Sequence, residues 1–562
     1  MAPQNPSNAV ACLLLGIVEA FLWNNFYDPN LLFSRIIIRA SIFNIVVWLG
    51  YCSFIYPNFV SPLRHLPGPK NEIPIIGSGF KAFRKPIGGY HLKMIREVPT
   101  ENGLIHYHGF FGTDSLFLAG PRAIADVFVH KPYDFVKPER VIKFLSTVLG
   151  DGLLLAEDDE HKFQRKKIMP SFSFRHIKDL YPIFWKKSKG LVEAISSEIH
   201  ENPSTWSGGD DKGGPCGKVE MNHLATLATF DIIGLAGLGH DFNTLKDEKH
   251  ELVDTYEQLL ETSTEKAIYF AANMILGNKT VQMLPWKENE RMKHSATTLR
   301  KNCDLLVQQK KAAMKTGEDS DHVDILSILL KSNDFSDHNL SDQLLTFLAA
   351  GHETTSSALT WTTYNLATHP EKQAKLRAEL RDALPQRGGV WNDDLPLTQT
   401  LESLPYLNAV CNEVLRLFPT VPITIRENVR DTTIAGTFVP KGTRIFISPW
   451  AVNRSPHFWG ADAEKFVPER WIDAETGKVT NEGGAVTHDG KGANYVNLTF
   501  LHGPRSCIGQ GFAKSELRAL VAAVVRSFEF ELWNKEQEVE VVGVITTKPK
   551  GGMLLKVRET LD

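Results

Sequence analysis

A largely helical protein with a few short strands, set behind an N-terminal membrane anchor, is what the sequence predicts, and three observations carry that expectation. Residues Ala40 to Leu63 include no charged side chain, and about twenty apolar residues suffice for a helix to cross a bilayer core. Apolar residues recur at helical spacing through Met221 to Met292 and again downstream of Asp337, where Leu344, Leu345, Leu348, Ala358, Leu359 and Leu366 form one stripe ended by His369-Pro370. Near the C-terminus, Val541 to Thr547 and Met553 to Val557 read as strands around Lys548–Gly552, a hairpin tip.

Composition narrows the function classes. The 562 residues carry 62 Lys plus Arg against 65 Asp plus Glu, so the chain lacks the basic surplus with which a nucleic-acid binder meets a polyanion. Six cysteines (Cys12, Cys52, Cys216, Cys303, Cys411, Cys507) are too sparse for a disulfide scaffold and lack the paired spacing of a zinc site. The main body is therefore expected to face a reducing cytosol.

The anchor region is read as residues 1–63. Ala9 to Trp23 is a second apolar stretch, shortened by Glu19, and stays open as a second span, an interfacial helix or a signal-peptide core. Arg35 and Arg39 before the span offset Arg64 and Lys70 after it, and Lys81, Arg84 and Lys85 favour a cytosolic C-terminal side. Leu66-Pro67-Gly68-Pro69 makes residues 64–70 a stiff hinge, because its prolines forbid helix continuation. Residues 71–562 form the remaining domain. Within it, Pro203 to Lys218 and the Gly-rich tract from Asp473 to Tyr495 read as exposed loops.

The strongest motif is Phe500-Leu501-His502-Gly503-Pro504-Arg505-Ser506-Cys507-Ile508-Gly509, of the form F-x-x-G-x-R-x-C-x-G. A thiolate that ligates haem iron needs a sharply turning loop with backbone N–H groups near its sulfur and little water. Gly503 and Gly509 supply a permissive backbone, Arg505 a fixed cation for a haem propionate, and Phe500 an apolar side chain to pack beside the sulfur. This decapeptide resembles the haem-ligand loop of the cytochrome P-450 superfamily, which makes Cys507 the expected metal ligand.

Three further stretches extend the resemblance. Ala350-Gly351-His352-Glu353-Thr354-Thr355 puts a glycine, an acid and hydroxyls where a buried helix prefers Ala and Leu, a break in the local rules that points to a functional site. The Thr354 hydroxyl is placed to bond back to the Ala350 carbonyl and open the helix ladder. The stretch matches the family's A-G-x-[DE]-T-[ST] pattern, which implies catalytic roles for Thr354, facing dioxygen, and Glu353, leading protons to it. Glu413-Val414-Leu415-Arg416 and Pro468-Glu469-Arg470-Trp471 resemble the family's E-x-x-R and P-E-R-F segments, implying a buried structural network of Glu413, Arg416 and Arg470.

Propionate partners follow from the same likeness. His161 to Pro170 reads as a short basic helix with His161 and Arg165 on one face; it resembles the family's W-x-x-x-R helix, with His161 where Trp is commonest. Arg165 and His161 are thus expected at a propionate, as is Arg426, while Thr420 to Ile425 would line the substrate pocket. Lys166 and Lys167 are candidates for docking an acidic electron-transfer partner.

The resemblance covers residues 65 to 560 and implies a mainly α cytochrome P-450 fold, a helical haem-thiolate domain with small β-sheets. It implies haem b, dioxygen and NADPH used through a membrane-bound NADPH-cytochrome P-450 reductase, with cytochrome b5 open as a second donor. The implied reaction is monooxygenation of a lipophilic small molecule by an enzyme on the endoplasmic reticulum membrane, its catalytic domain cytosolic. The paired apolar N-terminal segments and His161 resemble fungal members that act in secondary metabolism. An oxygen-independent isomerase or dehydratase, a fatty-acid or xenobiotic hydroxylase and a membrane-anchored haem sensor are the alternatives.

Overall fold

The computed structural model describes residues 7–560 except 27–31, 71, 74, 83, 207–213, 247–249, 261–262, 317–323, 385, 388–389, 392–395, 481–482, 486–493, 537–538 and 544. Parts of both expected loops, in 203–218 and 473–495, lie outside the described residues. The chain divides into two units, Met1–Val136 with Ile423–Ser455 and Lys137–Pro422 with Pro456–Asp562.

The first unit begins with two helices, α1 (Ser7–Phe26) and α2 (Phe33–Gly50), packed antiparallel. Gly16 lies against Ser41, where an added Cβ would come within 2.4 Å of the hydroxyl. Asn44 Nδ2 donates to the Glu19 carboxylate at 2.9 Å and to the Cys12 carbonyl at 3.5 Å, so the charge that interrupts the first apolar stretch has its partner on the second helix. Leu14, Phe21, Trp23, Phe43 and Val46 are exposed, an apolar surface of the kind that lipid covers. The helix long and apolar enough to cross a membrane runs from Phe33 to Val60, starting before the charge-free stretch and taking in Arg35 and Arg39. Met221–Leu238 passes the same length test but is largely buried in protein.

Beyond Gly50 the helix continues as a π-helical segment, Tyr51–Val60, and its surroundings change. Cys52, Tyr56 and Pro57 are buried, and the hydroxyls of Tyr56 and Ser61 each donate to Asp114 at 2.9 Å. Asp114 opens β2 (Asp114–Leu118), which pairs antiparallel with β1 (Leu104–His108). The sheet continues through Arg444–Ile447, parallel to β2, to Thr424–Asn428 and then Phe135–Val136. The proline hinge lies on this sheet: the His106 amide donates to the Pro67 carbonyl at 2.9 Å, and a Cβ on Gly68 would stand 2.3 Å from the His106 carbonyl.

In the second unit the central helix, Asp337–Thr368, is buried along most of its length. It packs against Met221–Ile232 and its π-helical continuation to Leu238 on one side, and against Gln510–Ser527, the helix that follows the cysteine loop, on another. Gly351 faces the π-helical continuation: a Cβ there would come within 2.7 Å of Ile233. This glycine answers a packing need.

Two sequence expectations change. Cys216–Glu220, partly inside the expected loop 203–218, is a strand that pairs with Leu554–Glu559, which in turn pairs with Phe528–Leu532. Gly217 permits that strand to pass Ile199, whose Cα a Cβ would approach to 2.5 Å. The expected C-terminal hairpin does not form as one ladder. Val541–Val542 pairs instead with Lys548–Pro549, and Gly551 and Gly552, both at positive φ, turn the chain into the other sheet.

The expected ion-pair frame is present and larger than predicted. Glu413 and Arg416, on Pro405–Leu417, are fully buried. Arg416 Nε and Nη2 donate to the two Glu413 oxygens at 2.8 and 2.7 Å, and Arg470 Nε donates at 3.0 Å. Trp471 Nε1 at 2.9 Å and the Val467 amide at 3.0 Å complete the shell. Arg416 also donates to the Ala463 carbonyl at 2.6 Å. Truncation by Glu413→Ala would leave buried guanidinium unpaired and is expected to cost about 3–5 kcal/mol, whereas Trp471→Phe, which removes one donor of several, should cost about 1–2 kcal/mol. Denaturant unfolding of the two variants would check that ranking; equal losses would contradict it.

Candidate haem-thiolate site

The cysteine loop is built by its backbone. Leu501 and Gly503 have φ of 56° and 71°, a left-handed pair that reverses the chain, and the Cys507 amide donates to the Phe500 carbonyl at 2.9 Å. Just upstream, Thr499 Oγ1 donates to the Leu415 carbonyl at 2.8 Å, tying the loop to the helix that carries Glu413 and Arg416. Gly509 has φ of −86°, open to any residue, so its contribution is not conformational freedom. Its N–H points to the Cys507 sulfur.

Cys507 is hemmed in by protein yet accessible, and it lines a cavity of about 470 Å³ with Phe174, Ile177, Lys514 and Arg518. A larger cavity of about 990 Å³, bordered by Phe144, Tyr269, Met292 and Arg300, holds none of the predicted site residues. Burial pushes the Cys507 thiol up, and outweighs the Gly509 N–H and the Arg165 guanidinium, which pull it down.

Two arginines brace this loop. Arg165, on the basic helix Asp158–Ile168, donates to the Ser506 carbonyl at 2.7 Å and to the Ser506 hydroxyl at 3.3 Å. Buried Arg505 pairs with the Glu157 carboxylate and donates to the Ala156 carbonyl at 3.4 Å. His161 is buried on the same basic helix. Lys166 is exposed, while Lys167 is paired with Asp334 at 2.8 Å. Phe500 lies with its ring 5.8 Å from Lys514 Nζ. Arg426 belongs to the first unit, where it is buried and donates to Thr424 Oγ1 at 2.9 Å.

On the central helix, Ala350 is exposed and Gly351 and Thr354 are partly so, between buried neighbours; that face opens onto space. Thr354 Oγ1 donates to the Ala350 carbonyl at 2.7 Å as expected, but the helix runs unbroken from Asp337 to Thr368. A carbonyl has two lone pairs, so Ala350 takes the hydroxyl without surrendering its helix bond. Glu353 is buried, facing the segment 546–548: it accepts from Thr546 Oγ1 at 2.8 Å and pairs with Lys548 at 2.9 Å. The same segment is stapled to the helix through Ser357 Oγ, 2.5 Å from the Thr547 carbonyl, and to Thr420, whose carbonyl takes the Thr547 amide at 2.8 Å. Nothing local in the sequence pairs Lys548 with Glu353, 195 positions apart.

Phe172 joins the two halves of the site, its ring 5.8 Å from Phe347 on the central helix and 6.4 Å from Phe512 after the loop. Glu516, about two helix turns beyond the loop, is buried, and that burial holds its carboxyl well above the usual carboxylate range. An accessible cysteine with an N–H at its sulfur, flanked by two arginines, is a donor set that fits haem: a thiolate for iron, cations for propionates.

Comparison with known proteins gives the same family throughout. The cytochrome P450 family model matches residues 67–555. Cytochrome P450 monooxygenase sphH of Aspergillus fumigatus is 41% identical over 90% of both chains. Cytochrome P450 monooxygenase ptmK of Penicillium ochrochloron is 37% identical over 91% of this chain and 96% of its own, and cytochrome P450 monooxygenase FUM15 of Gibberella moniliformis is 35% identical over 93% of each.

Glu516 yields a pH prediction. Its folded-state pKa is raised, so the fold favours the protonated acid; the resulting penalty is absent below the unfolded-state pKa of about 4.3 and grows as pH rises towards the folded value. Glu516→Gln keeps the neutral shape, so thermal melts should show variant and parent alike near pH 4 and the variant more stable at pH 7.5. A variant less stable at pH 7.5 would contradict this.

Proposed function

The chain belongs to the cytochrome P450 family and is an oxidoreductase of its monooxygenase class; we propose that it inserts one atom of dioxygen into a lipophilic small molecule of fungal secondary metabolism, with Cys507 as the iron ligand. The observation that carries this reading is the geometry of the cysteine loop: a sharp left-handed turn presents an accessible Cys507, with Arg165 bracing the adjoining Ser506. Bound there, haem supplies dioxygen activation and oxygen-atom transfer.

The chain's own residues hold and feed that group. Arg165 and Arg505 are placed to take propionates beside the loop they brace, with His161 on the Arg165 helix. The Thr354 hydroxyl, on the open face of the central helix, is the proton holder nearest the reaction. Glu353 leads protons inward by taking one up and passing it on, and its pairing with Lys548 and Thr546 keeps its carboxylate on the 546–548 side. Releasing Lys548 frees that carboxylate, which makes Lys548 a positioning residue for proton delivery. Glu413, Arg416 and Arg470 retain haem indirectly, through the loop.

Electrons come from NADPH through a reductase. The cations Lys514 and Arg518, which line the cavity beside Cys507, and the exposed Lys166 offer an acidic partner a docking face. The apolar helices at the N-terminus support placement on the endoplasmic reticulum membrane, where lipophilic substrates partition. An oxygen-independent isomerase is not favoured, since the relatives named above are monooxygenases.

Purified protein, reduced and exposed to carbon monoxide, should give a thiolate-type Soret band that Cys507→Ser abolishes; a band that survives the substitution would refute Cys507 as the ligand. With reductase, NADPH and a turned-over substrate, Glu353→Gln is expected to slow product formation by about 10²-fold. Lys548→Met should keep the Soret band yet change the pH profile of product formed per NADPH, and an unchanged profile would remove Lys548 from proton delivery.

A further inference from the structure

We propose that His106, His108 and Asp114 form a zinc site at the joint between the membrane-proximal helix and the first two strands of the sheet. Strand periodicity puts His106 and His108 on one face of β1, and the antiparallel register sets Asp114 opposite His108. One ligand atom from each of the three lies within 4.8 Å of the others. His106 Nε2 is 2.7 Å and His108 Nε2 4.0 Å from Asp114 Oδ1, and the imidazole centroids are 4.7 Å apart. Zinc bonds of about 2.0–2.1 Å set tetrahedral ligands about 3.3 Å apart, a value these separations bracket, so small side-chain shifts complete the site.

The surrounding groups are those that metal ligands need. Histidine ligands characteristically donate their second ring N–H to a carboxylate, which fixes the tautomer and raises basicity. His108 Nδ1 is 2.5 Å from Glu72 Oε2, and the His108 amide donates to Glu72 Oε1 at 2.9 Å. With Nδ1–H committed to Glu72, Nε2 carries the lone pair, and among the described residues that buried nitrogen has no hydrogen-bond partner. At 4.0 Å from Asp114 it is beyond hydrogen-bond reach even if protonated. An aimed, unpartnered nitrogen is what a cation would satisfy.

Asp114 is oriented in the same way, by the Tyr56 and Ser61 hydroxyls. The charges also balance, since Asp114 and Glu72 together offset one dication. Two imidazoles and one carboxylate suit a borderline ion such as zinc better than calcium or magnesium. His108, the partly exposed member, gives the ion its way in and leaves the fourth position to water. Such a bond set would fasten the membrane-proximal helix, the segment at Glu72 and both strands to one point.

The test uses the haem-loaded full chain, so that Cys507 is occupied, stripped with a chelator and titrated with zinc against a chromophoric indicator. One zinc per haem is expected, bound with sub-micromolar affinity, lost in His108→Ala and weakened about 10–100-fold in Glu72→Gln. An unchanged Soret band in the reduced, carbon monoxide-treated variants shows that they fold. The zinc K-edge absorption of the parent protein needs no variant: two imidazole nitrogens plus oxygens support the site. Sulfur bonded to the zinc, binding that survives His108→Ala, or no stoichiometric zinc at micromolar concentration would each overturn it, the last meaning that His106 is hydrogen-bonded to Asp114 and His108 to Glu72 and nothing more.

Discussion

The carboxylate of Glu413 lies in a place water does not reach, and the geometry around the cysteine loop depends on its being paired. Removing such an ion from water costs several kcal/mol, which only close and numerous partners offset. Arg416, Arg470, Trp471 and the Val467 amide supply them. Satisfying one anion therefore draws Pro405–Leu417 and the stretch from Trp459 to Trp471 into one arrangement. The Leu415 carbonyl, on the same helix, then receives Thr499, so the approach to Cys507 inherits its position from an ion cluster that never touches the reacting atoms.

Much of this was legible because it is written in short range. The pair Glu413 and Arg416 is three residues apart on a helix, the Pro-Glu-Arg-Trp segment is contiguous, and the cysteine loop is a decapeptide whose turn residues announce its shape. Trp471 was visible only as a tryptophan in the last place of that segment; its indole donor to Glu413 makes it a member of the cluster, which no spacing rule reveals. The partners that sequence reasoning missed, Lys548 for Glu353 and Glu157 for Arg505, are set by tertiary packing, and opposite charges scattered along 562 residues offer too many pairings for any one to stand out. Strand assignment failed for a related reason. Cys216–Lys218 reads as loop because its residues are poor strand formers, and it becomes a strand because Leu554–Glu559 presents an edge to it.

The central helix shows how one anomalous composition serves several ends. Its glycine admits Ile233, Thr229 donates to the His352 carbonyl at 3.0 Å across the same crossing, and most of its hydroxyls bond back to their own helix, as Thr360 and Thr362 do. Thr354 makes the same bond, and what distinguishes it is exposure on an open face. The polar run is thus largely a way of packing helices closely while meeting hydroxyl needs internally, with Thr354 left partly exposed.

The docking of the proline segment on β1 bears on how a water-soluble form of the enzyme should be made. Cutting at Leu66–Pro69 looks natural, since a hinge suggests slack on either side. Here that cut would discard Tyr56 and Ser61, two of the donors to the buried Asp114 carboxylate, and strip cover from the start of the sheet. A shortened chain that begins near Tyr51 keeps those donors and sheds most of the exposed apolar helix surface. The boundary between the exposed apolar surface and the packed protein thus falls inside a helix, about fifteen residues before the prolines.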